Sequence, residues 1–193
     1  MRRVFSFLLE NEAGALSRVG GLFSQRGYNI DSLTVAPTDD PTLSRCTILT
    51  TGDADEAEQI TKQLHKLVCV YRVSALEEET EGGIEREMIL VKVSTPNRNV
   101  RDEVKSLADI FKAEIIDVNA EIFTLQYVGT SEQTDNFIQT LCKLAEVVEV
   151  VRSGVLGIAK GTHYMRGYQV HINAAPFLVK KTDHTKYDPF VFP

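Results

Sequence analysis

The spacing of apolar residues in the first part of the chain alternates between two periods, which predicts alternating strands and helices. Short runs that are apolar at most positions have strand length, whereas apolar residues three and four positions apart indicate helices. The predicted strands cover 4–9, 30–37, 43–51 and 70–76, and the predicted helices cover 14–27 and the segment with Ala57, Ile60, Leu64 and Leu67. The order βαββαβ is the split βαβ plan of ferredoxin-like domains.

The same order begins again after an acidic stretch. Residues 77–83 have no apolar period and are typical of an exposed linker. We therefore predict an α+β protein with two ferredoxin-like βαββαβ domains in tandem, over 1–77 and 84–160, and a poorly ordered tail over 161–193. The later strands are predicted over 87–93, 115–118, 122–128 and 147–151, and the later helices over 100–112 and from a cap at Ser131.

Several predicted strands are apolar at successive positions, as at Phe7, Leu8 and Leu9. Both helices of a ferredoxin-like unit cover one face of its sheet, so such runs predict that the other face is also buried. Two explanations stay open, which are imprecise alternation and packing against another copy of the chain. We expect a homodimer or a larger assembly.

Composition restricts the classes of partner. The chain is 43% hydrophobic and 25% charged, as is usual for globular proteins, and its net charge of -6 comes without a long basic run. Clustered basic residues are needed to displace counterions from nucleic acid, so we predict no nucleic-acid partner. No stretch approaches the roughly 20 apolar residues of a membrane span, and the apolar run after Arg3 is too short for a signal peptide. We predict a cytoplasmic protein with no membrane partner.

No segment has a spacing that is typical of an active site. The chain has no G-x-S-x-G, no Walker sequence and no C-x-x-C pair. His65 is far in sequence from any serine or cysteine motif that it could activate, and the other three histidines lie in the tail. We therefore predict no catalytic residue, no metal and no cofactor in this chain.

The turn between the first strand and the first helix, residues 11–16, has chemistry suited to a ligand. Gly14 allows close backbone approach, and the free N–H groups of a first helical turn can bind a carboxylate. Asn11 and Asn29 each offer both a donor and an acceptor. From spacing alone two interpretations stay open: an amino-acid site, or an ordinary turn in which Asn11 caps the helix.

Residues 8–48, LLENEAGALSRVGGLFSQRGYNIDSLTVAPTDDPTLSRCTI, closely resemble the ACT domain of the regulatory (small) subunit of acetohydroxyacid synthase, also called acetolactate synthase. The resemblance continues through 59–68, 85–93, 110–118 and 148–157, and so covers about 1–160. It implies a non-catalytic subunit that activates a catalytic large subunit using thiamine diphosphate, magnesium and FAD. It also implies feedback inhibition by valine or another branched-chain amino acid.

In that family the effector lies between the ACT domains of two chains. The resemblance thus implies a site in which Asn11, Ala13, Gly14, Ala15 and Leu16 of one chain face Asn29, Ile30 and Val35 of another. The chain departs from the family at Gly20, where the family more often has a larger residue before the second glycine, Gly21. Each glycine inside the helix costs about 1 kcal/mol of helix stability relative to alanine. A soft helix and a close contact that only glycine permits are both open explanations.

Two other functions stay open. An ACT-type amino-acid sensor could regulate a different enzyme or transcription, although a regulator of transcription would need a DNA-reading module that the sequence does not show. A ferredoxin-like enzyme of acylphosphatase type would need a positioned nucleophile or a phosphate-binding arginine pattern, and neither is found.

Overall fold

The computed structural model describes residues 1–76, 82–162, 164 and 165, which form nine strands and four helices. The N-terminal unit consists of β1 (Arg2–Glu10), α1 (Ala15–Arg26), β2 (Ser32–Pro37), β3 (Leu43–Thr51), α2 (Ala54–Leu64) and β4 (Val70–Ala75). The C-terminal unit consists of β5 (Gly83–Ser94), α3 (Arg98–Phe111), β6 (Glu114–Val118), β7 (Ile122–Gly129), α4 (Ser131–Leu144) and β8 (Val147–Arg152), followed by β9 (Leu156–Ala159).

Both units have an antiparallel sheet, with the strand orders β2-β3-β1-β4 and β6-β7-β5-β8. The predicted α+β class and the tandem ferredoxin-like arrangement are confirmed. The predicted linker lies mostly outside the described residues, as does the predicted tail apart from residues 161, 162, 164 and 165. Within the described ranges, no helix is long and apolar enough to cross a membrane.

Each unit has its own core between one face of the sheet and its two helices. In the first unit Phe5 and Phe7 of β1 pack with Phe23 of α1, and all three side chains are buried. Burial of a phenylalanine side chain contributes about 1.5–3 kcal/mol, so these three rings are a main source of stability. In the second unit Val91 of β5 and Phe137 of α4 are buried in the core.

Local capping signals set the ends of the helices. Gly27 ends α1 in the left-handed conformation with φ 73°, as the sequence predicted. Thr130, and not the predicted Ser131, caps α4: its hydroxyl accepts from the Gln133 N–H, and the Gln133 side chain accepts from the Thr130 N–H. Ser131 is instead the first helical residue. The reciprocal pair decides the start, because it satisfies two N–H groups at once.

The second face of the N-terminal sheet is partly covered by the chain itself. Strand β9 pairs with the first residues of β5 and lies against Val4 and Thr47, with Gly157 at the closest approach. A side chain at Gly157 would collide with Leu76. At these positions the prediction that another copy of the chain covers the sheet is wrong, because strand β9 of the same chain already excludes water there. The homodimer itself stays a prediction.

Candidate functional site

The turn between β1 and α1 presents unoccupied backbone donors. Gly14 has φ 86° and directly precedes the helix, a conformation that favours glycine. The Ala15 N–H donates to the Glu12 carbonyl at 3.3 Å. In the described part of the chain no side chain caps α1, so the N–H groups of Leu16 and Ser17 are available to a ligand.

Asn11 is held beside this turn by the loop between β2 and β3. Its side-chain amide donates to the Pro41 carbonyl at 2.9 Å, and its backbone N–H donates to the Thr42 carbonyl at 2.8 Å. The interpretation of Asn11 as a helix cap is therefore wrong. Its Oδ1 receives no donor from the described residues, so it remains free to accept.

Asn29 lies in a turn before β2, which begins at Ser32 and not at the predicted Ile30. The Asn29 side-chain amide donates to Asp31 Oδ1 at 2.5 Å, and its carbonyl accepts from the Thr50 hydroxyl at 2.5 Å. These local bonds delay the start of the strand. Asp31 adds a carboxylate beside the predicted site that sequence reasoning missed. The Asn-x-Asp spacing, typical of a turn, was the available signal.

The two predicted halves of the site lie far apart within one chain. Asn11 bonds to Thr42 before β3 begins, whereas Asn29 bonds to Thr50 near its other end. Eight residues of extended chain span about 26 Å at 3.3 Å per residue. The structure therefore brings Asn11, Ala13, Gly14, Ala15 and Leu16 together, and separately Asn29 and Ile30, with Val35 between the two groups on β2.

The apolar members of the predicted site differ in exposure. Leu16 is 40% exposed and Val35 is 38% exposed, so both present apolar surface to a ligand or a second chain. Ala15 is buried and Ile30 packs on the first core, so each contributes mainly through its backbone or an edge. Ala13 is exposed in the turn.

The edge of β2 is also apolar. β2 stands at the end of its sheet, and Leu33, 40% exposed, projects from it on the same side as Val35. Both residues pair with core positions of β3, Ile48 and Cys46, so they lie on the helix-covered side of the sheet.

Contacts among the described residues do not explain the departure from the family at Gly20, nor the neighbouring Gly21. A Cβ built at Gly20 or Gly21 would meet no atom of the described chain within 4 Å. Close packing among the described residues therefore does not require glycine at either position.

A separate cavity of about 550 Å³ lies between the two units. Arg45 lines it, donating from Nε to the Ser6 hydroxyl at 2.9 Å and from Nη2 to the Gly157 carbonyl at 3.3 Å. Burial lowers the pKa of the Arg45 guanidinium. None of the predicted effector residues lines this cavity. In the described residues no cluster of three or more His, Cys, Asp and Glu could hold a metal ion.

Comparison with known proteins gives matches for both units. Residues 5–72 match the family described as the AHAS small subunit-like ACT domain, and residues 86–161 match the family described as the small subunit of acetolactate synthase. The chain is 57% identical over 166 residues to the acetolactate synthase isozyme 3 small subunit of Escherichia coli (strain K12), covering 86% of this chain and 100% of the relative.

Two further similarities agree with these matches. The chain is 55% identical over 161 residues to the acetolactate synthase small subunit of Haemophilus influenzae, covering 83% of this chain and 97% of that one. The crystal structure of the acetolactate synthase small subunit from Thermotoga maritima superposes with a TM-score of 0.77 at 34% identity, covering 84% of this chain and 99% of that one.

Proposed function

Because the chain belongs to the family of acetolactate synthase small subunits, we propose that it binds a catalytic large subunit and makes that enzyme sensitive to valine or another branched-chain amino acid. The family makes the chain a regulatory subunit. One observation carries the proposed effector site: uncapped N–H groups of α1 and a free acceptor on Asn11 occur in the same turn.

These groups complement the two charged ends of an amino acid. The ligand carboxylate accepts from the N–H groups of Leu16 and Ser17, where the positive end of the helix dipole adds to the attraction. The ligand ammonium donates to Asn11 Oδ1. Asn29 and Asp31 of a second chain complete the site from the other side, and the carboxylate of Asp31 favours an ammonium over a second carboxylate.

A second copy is required because the two halves are about 26 Å apart along β3. Among the described strands none pairs with the outer edge of β2, and antiparallel pairing of two such edges would continue one sheet across both chains. Antiparallel pairing places the start of one β2 beside the end of the other. The Asn29 turn of one chain then approaches the Asn11 turn of its partner.

The apolar part of the proposed site fits a short branched side chain. Leu16 and Val35 are exposed enough to contact it, and Ile30 borders the Asn29 turn. One methylene in such a pocket changes binding by about 1–3 kcal/mol, so valine, leucine and isoleucine should differ only modestly in affinity. Inhibition additionally requires that the effector bind the inhibited complex more tightly than the active one.

Reconstitution tests the proposal. The large subunit is assayed with thiamine diphosphate, magnesium and FAD, with and without this chain, across a valine titration. We expect this chain to raise the activity and valine to lower it. Gly14→Asp should abolish valine sensitivity, because the new carboxylate repels that of the ligand and the left-handed φ of 86° disfavours any side chain.

Gln25→Glu, which adds the same charge elsewhere on α1, is the matched control and should keep the sensitivity. A wild-type complex that is neither activated nor inhibited would contradict the proposal. Binding of valine without any binding of the large subunit would favour a sensor for a different enzyme or for transcription.

A further inference from the structure

Strand β2 contacts the C-terminal unit through the side chains opposite to Leu33 and Val35. The Ser32 hydroxyl accepts from the Val155 N–H at 3.0 Å, and the Thr34 hydroxyl donates to the Ser153 carbonyl at 3.3 Å. Successive side chains of a strand point to opposite faces. One strand therefore carries Val35 of the proposed effector site on one face and a bond to residues 153–155 on the other.

Glycine is required at the centre of this contact. Gly154 has φ 79°, and a Cβ placed there would lie 2.7 Å from both Ser32 Oγ and Thr34 Oγ1. No side chain fits at that distance unless the two hydroxyls rotate away from their partners or the turn is displaced from β2. The backbone of residues 153–155 thus lies in direct contact with the two hydroxyl groups.

The same residues are fixed to the core strand of the C-terminal unit. The Ser153 N–H donates to the Met88 carbonyl at 2.9 Å, and the Met88 N–H donates to the Ser153 hydroxyl at 3.0 Å. Val155 is buried. Met88 belongs to β5, next to the core residue Ile89, so a displacement of β2 is passed to β5 through a short chain of hydrogen bonds.

We propose that the contact of residues 153–155 with Ser32 and Thr34 transmits effector occupancy from β2 to the C-terminal unit. Inhibition then depends on this contact, whereas binding of the effector does not. This inference rests on the proposed effector site. A ligand bound at the Asn29 turn and Val35 orders the edge of β2. The contact of residues 153–155 with β2 then shifts the C-terminal unit together with this strand. Without this contact the ligand still binds, but it binds the two arrangements of the subunit with equal affinity.

Thr34→Val and Gly154→Ala test the link. Thr34→Val removes the donor with little change in volume, and Gly154→Ala pushes the turn away from both hydroxyls. Valine affinity is measured by calorimetry on the full chain, and inhibition is measured on the reconstituted synthase. We expect the dissociation constant of valine to change less than about threefold. The coupling factor between valine binding and the inhibited state, typically 5- to 150-fold in allosteric proteins, should fall to about one, and inhibition should disappear.

Two matched variants isolate the contact. Gly82→Ala introduces a side chain at a similar φ of 75° with no atom of a described residue within 4 Å, and should remain inhibited. Thr34→Ser keeps the hydroxyl and should also remain inhibited. In hydrogen exchange, valine should protect residues 153–155 in the wild type but not in Thr34→Val.

Full inhibition of both Thr34→Val and Gly154→Ala would overturn the link. A tenfold or greater loss of valine affinity in Thr34→Val would also overturn it, because the contact would then belong to the binding site. If Gly154→Ala fails to fold, Thr34→Val decides alone. Calorimetry on the wild type separates the two proposals: absence of valine binding refutes the effector site, whereas binding and inhibition that survive in the variants refute only the link.

Discussion

The side-chain amide of Asn29 donates to the carboxylate of Asp31, with 2.5 Å between Nδ2 and Oδ1. Asp31 Oδ2 also accepts from the Thr51 hydroxyl at 3.0 Å, so the carboxylate is fixed in place beside the turn. In the proposed site this places one negative charge where the ligand ammonium arrives.

Asp31→Asn should therefore weaken valine binding while leaving the fold intact. Loss of one charge-assisted interaction at an exposed position is expected to reduce the affinity about tenfold, equivalent to about 1.4 kcal/mol. Calorimetry at low and high salt measures the affinity for valine, and the difference in affinity from wild type should shrink as salt screens the charge. Asp109→Asn removes the same charge from the other unit and should bind normally. Equal affinity of Asp31→Asn and wild type would exclude this role.

Leu33→Lys should separate the chains of the proposed dimer. Leu33 is 40% exposed on the unpaired edge of β2, and a lysine on an edge strand disfavours pairing with another edge. We expect a smaller sedimentation coefficient and, because the site needs two chains, a parallel loss of valine binding. Val68→Lys changes a residue of the same unit that is 92% exposed and should alter neither property. A Leu33→Lys monomer that binds valine as tightly as wild type would refute the two-chain site.

The order of elements from β1 to β8 was predictable because apolar residues recur at helical spacing in the helices and form short runs in the strands, and Gly27 ends α1 where a glycine was expected. The cap at Thr130 was also predictable, since Gln133 follows three residues later. The prediction chose the wrong residue because Thr130 and Ser131 are adjacent and both carry a hydroxyl. The cover provided by β9 could not be predicted. Gly157 meets Val4 across more than 150 positions of sequence, and no local pattern specifies such a contact.

Gly20→Ala should stabilise the chain. Gly20 lies inside α1 and a Cβ there would meet no described atom within 4 Å, so alanine gains helix propensity without a clash. The free energy of unfolding in urea should rise by about 1 kcal/mol. If a partner subunit packs closely on α1, the same variant should bind that subunit more weakly, which a titration of activation measures. Loss of stability in the isolated chain would show that α1 requires glycine for its own packing.

Cys46 should make stability depend on pH in the alkaline range. Burial raises the pKa of the Cys46 thiol from 9.0 to about 12. Between these values the unfolded chain releases a proton that the folded chain retains, so stability falls as pH rises from about 9, by up to about 1.4 kcal/mol per pH unit. Urea unfolding at several pH values should show a smaller slope for Cys46→Ala than for wild type. Equal slopes would mean that this thiol titrates alike in both states.

Arg152 compensates a buried carboxylate at the base of the C-terminal unit, and its loss should be costly. Glu87 is 5% exposed and accepts from Arg152 Nη1 at 3.1 Å. Its carboxylate also lies 3.1 Å from the Thr134 hydroxyl, whose single proton has a second acceptor in the Ser131 carbonyl at 2.8 Å. Arg152→Met leaves that carboxylate with at most one hydroxyl donor, for which the Ser131 carbonyl competes. The cost should be about 2–3 kcal/mol in urea unfolding, below the 3–5 kcal/mol of a fully buried pair because Arg152 is partly exposed.

The double variant decides whether the carboxylate is the cause. Arg152→Met combined with Glu87→Gln should recover most of the lost stability, because no unpaired charge then stays buried. Asp135→Asn removes the more exposed partner of Arg152 and should cost less than about 1 kcal/mol. If the double variant is as unstable as Arg152→Met alone, the loss comes from the other contacts of the arginine side chain and not from the charge on Glu87.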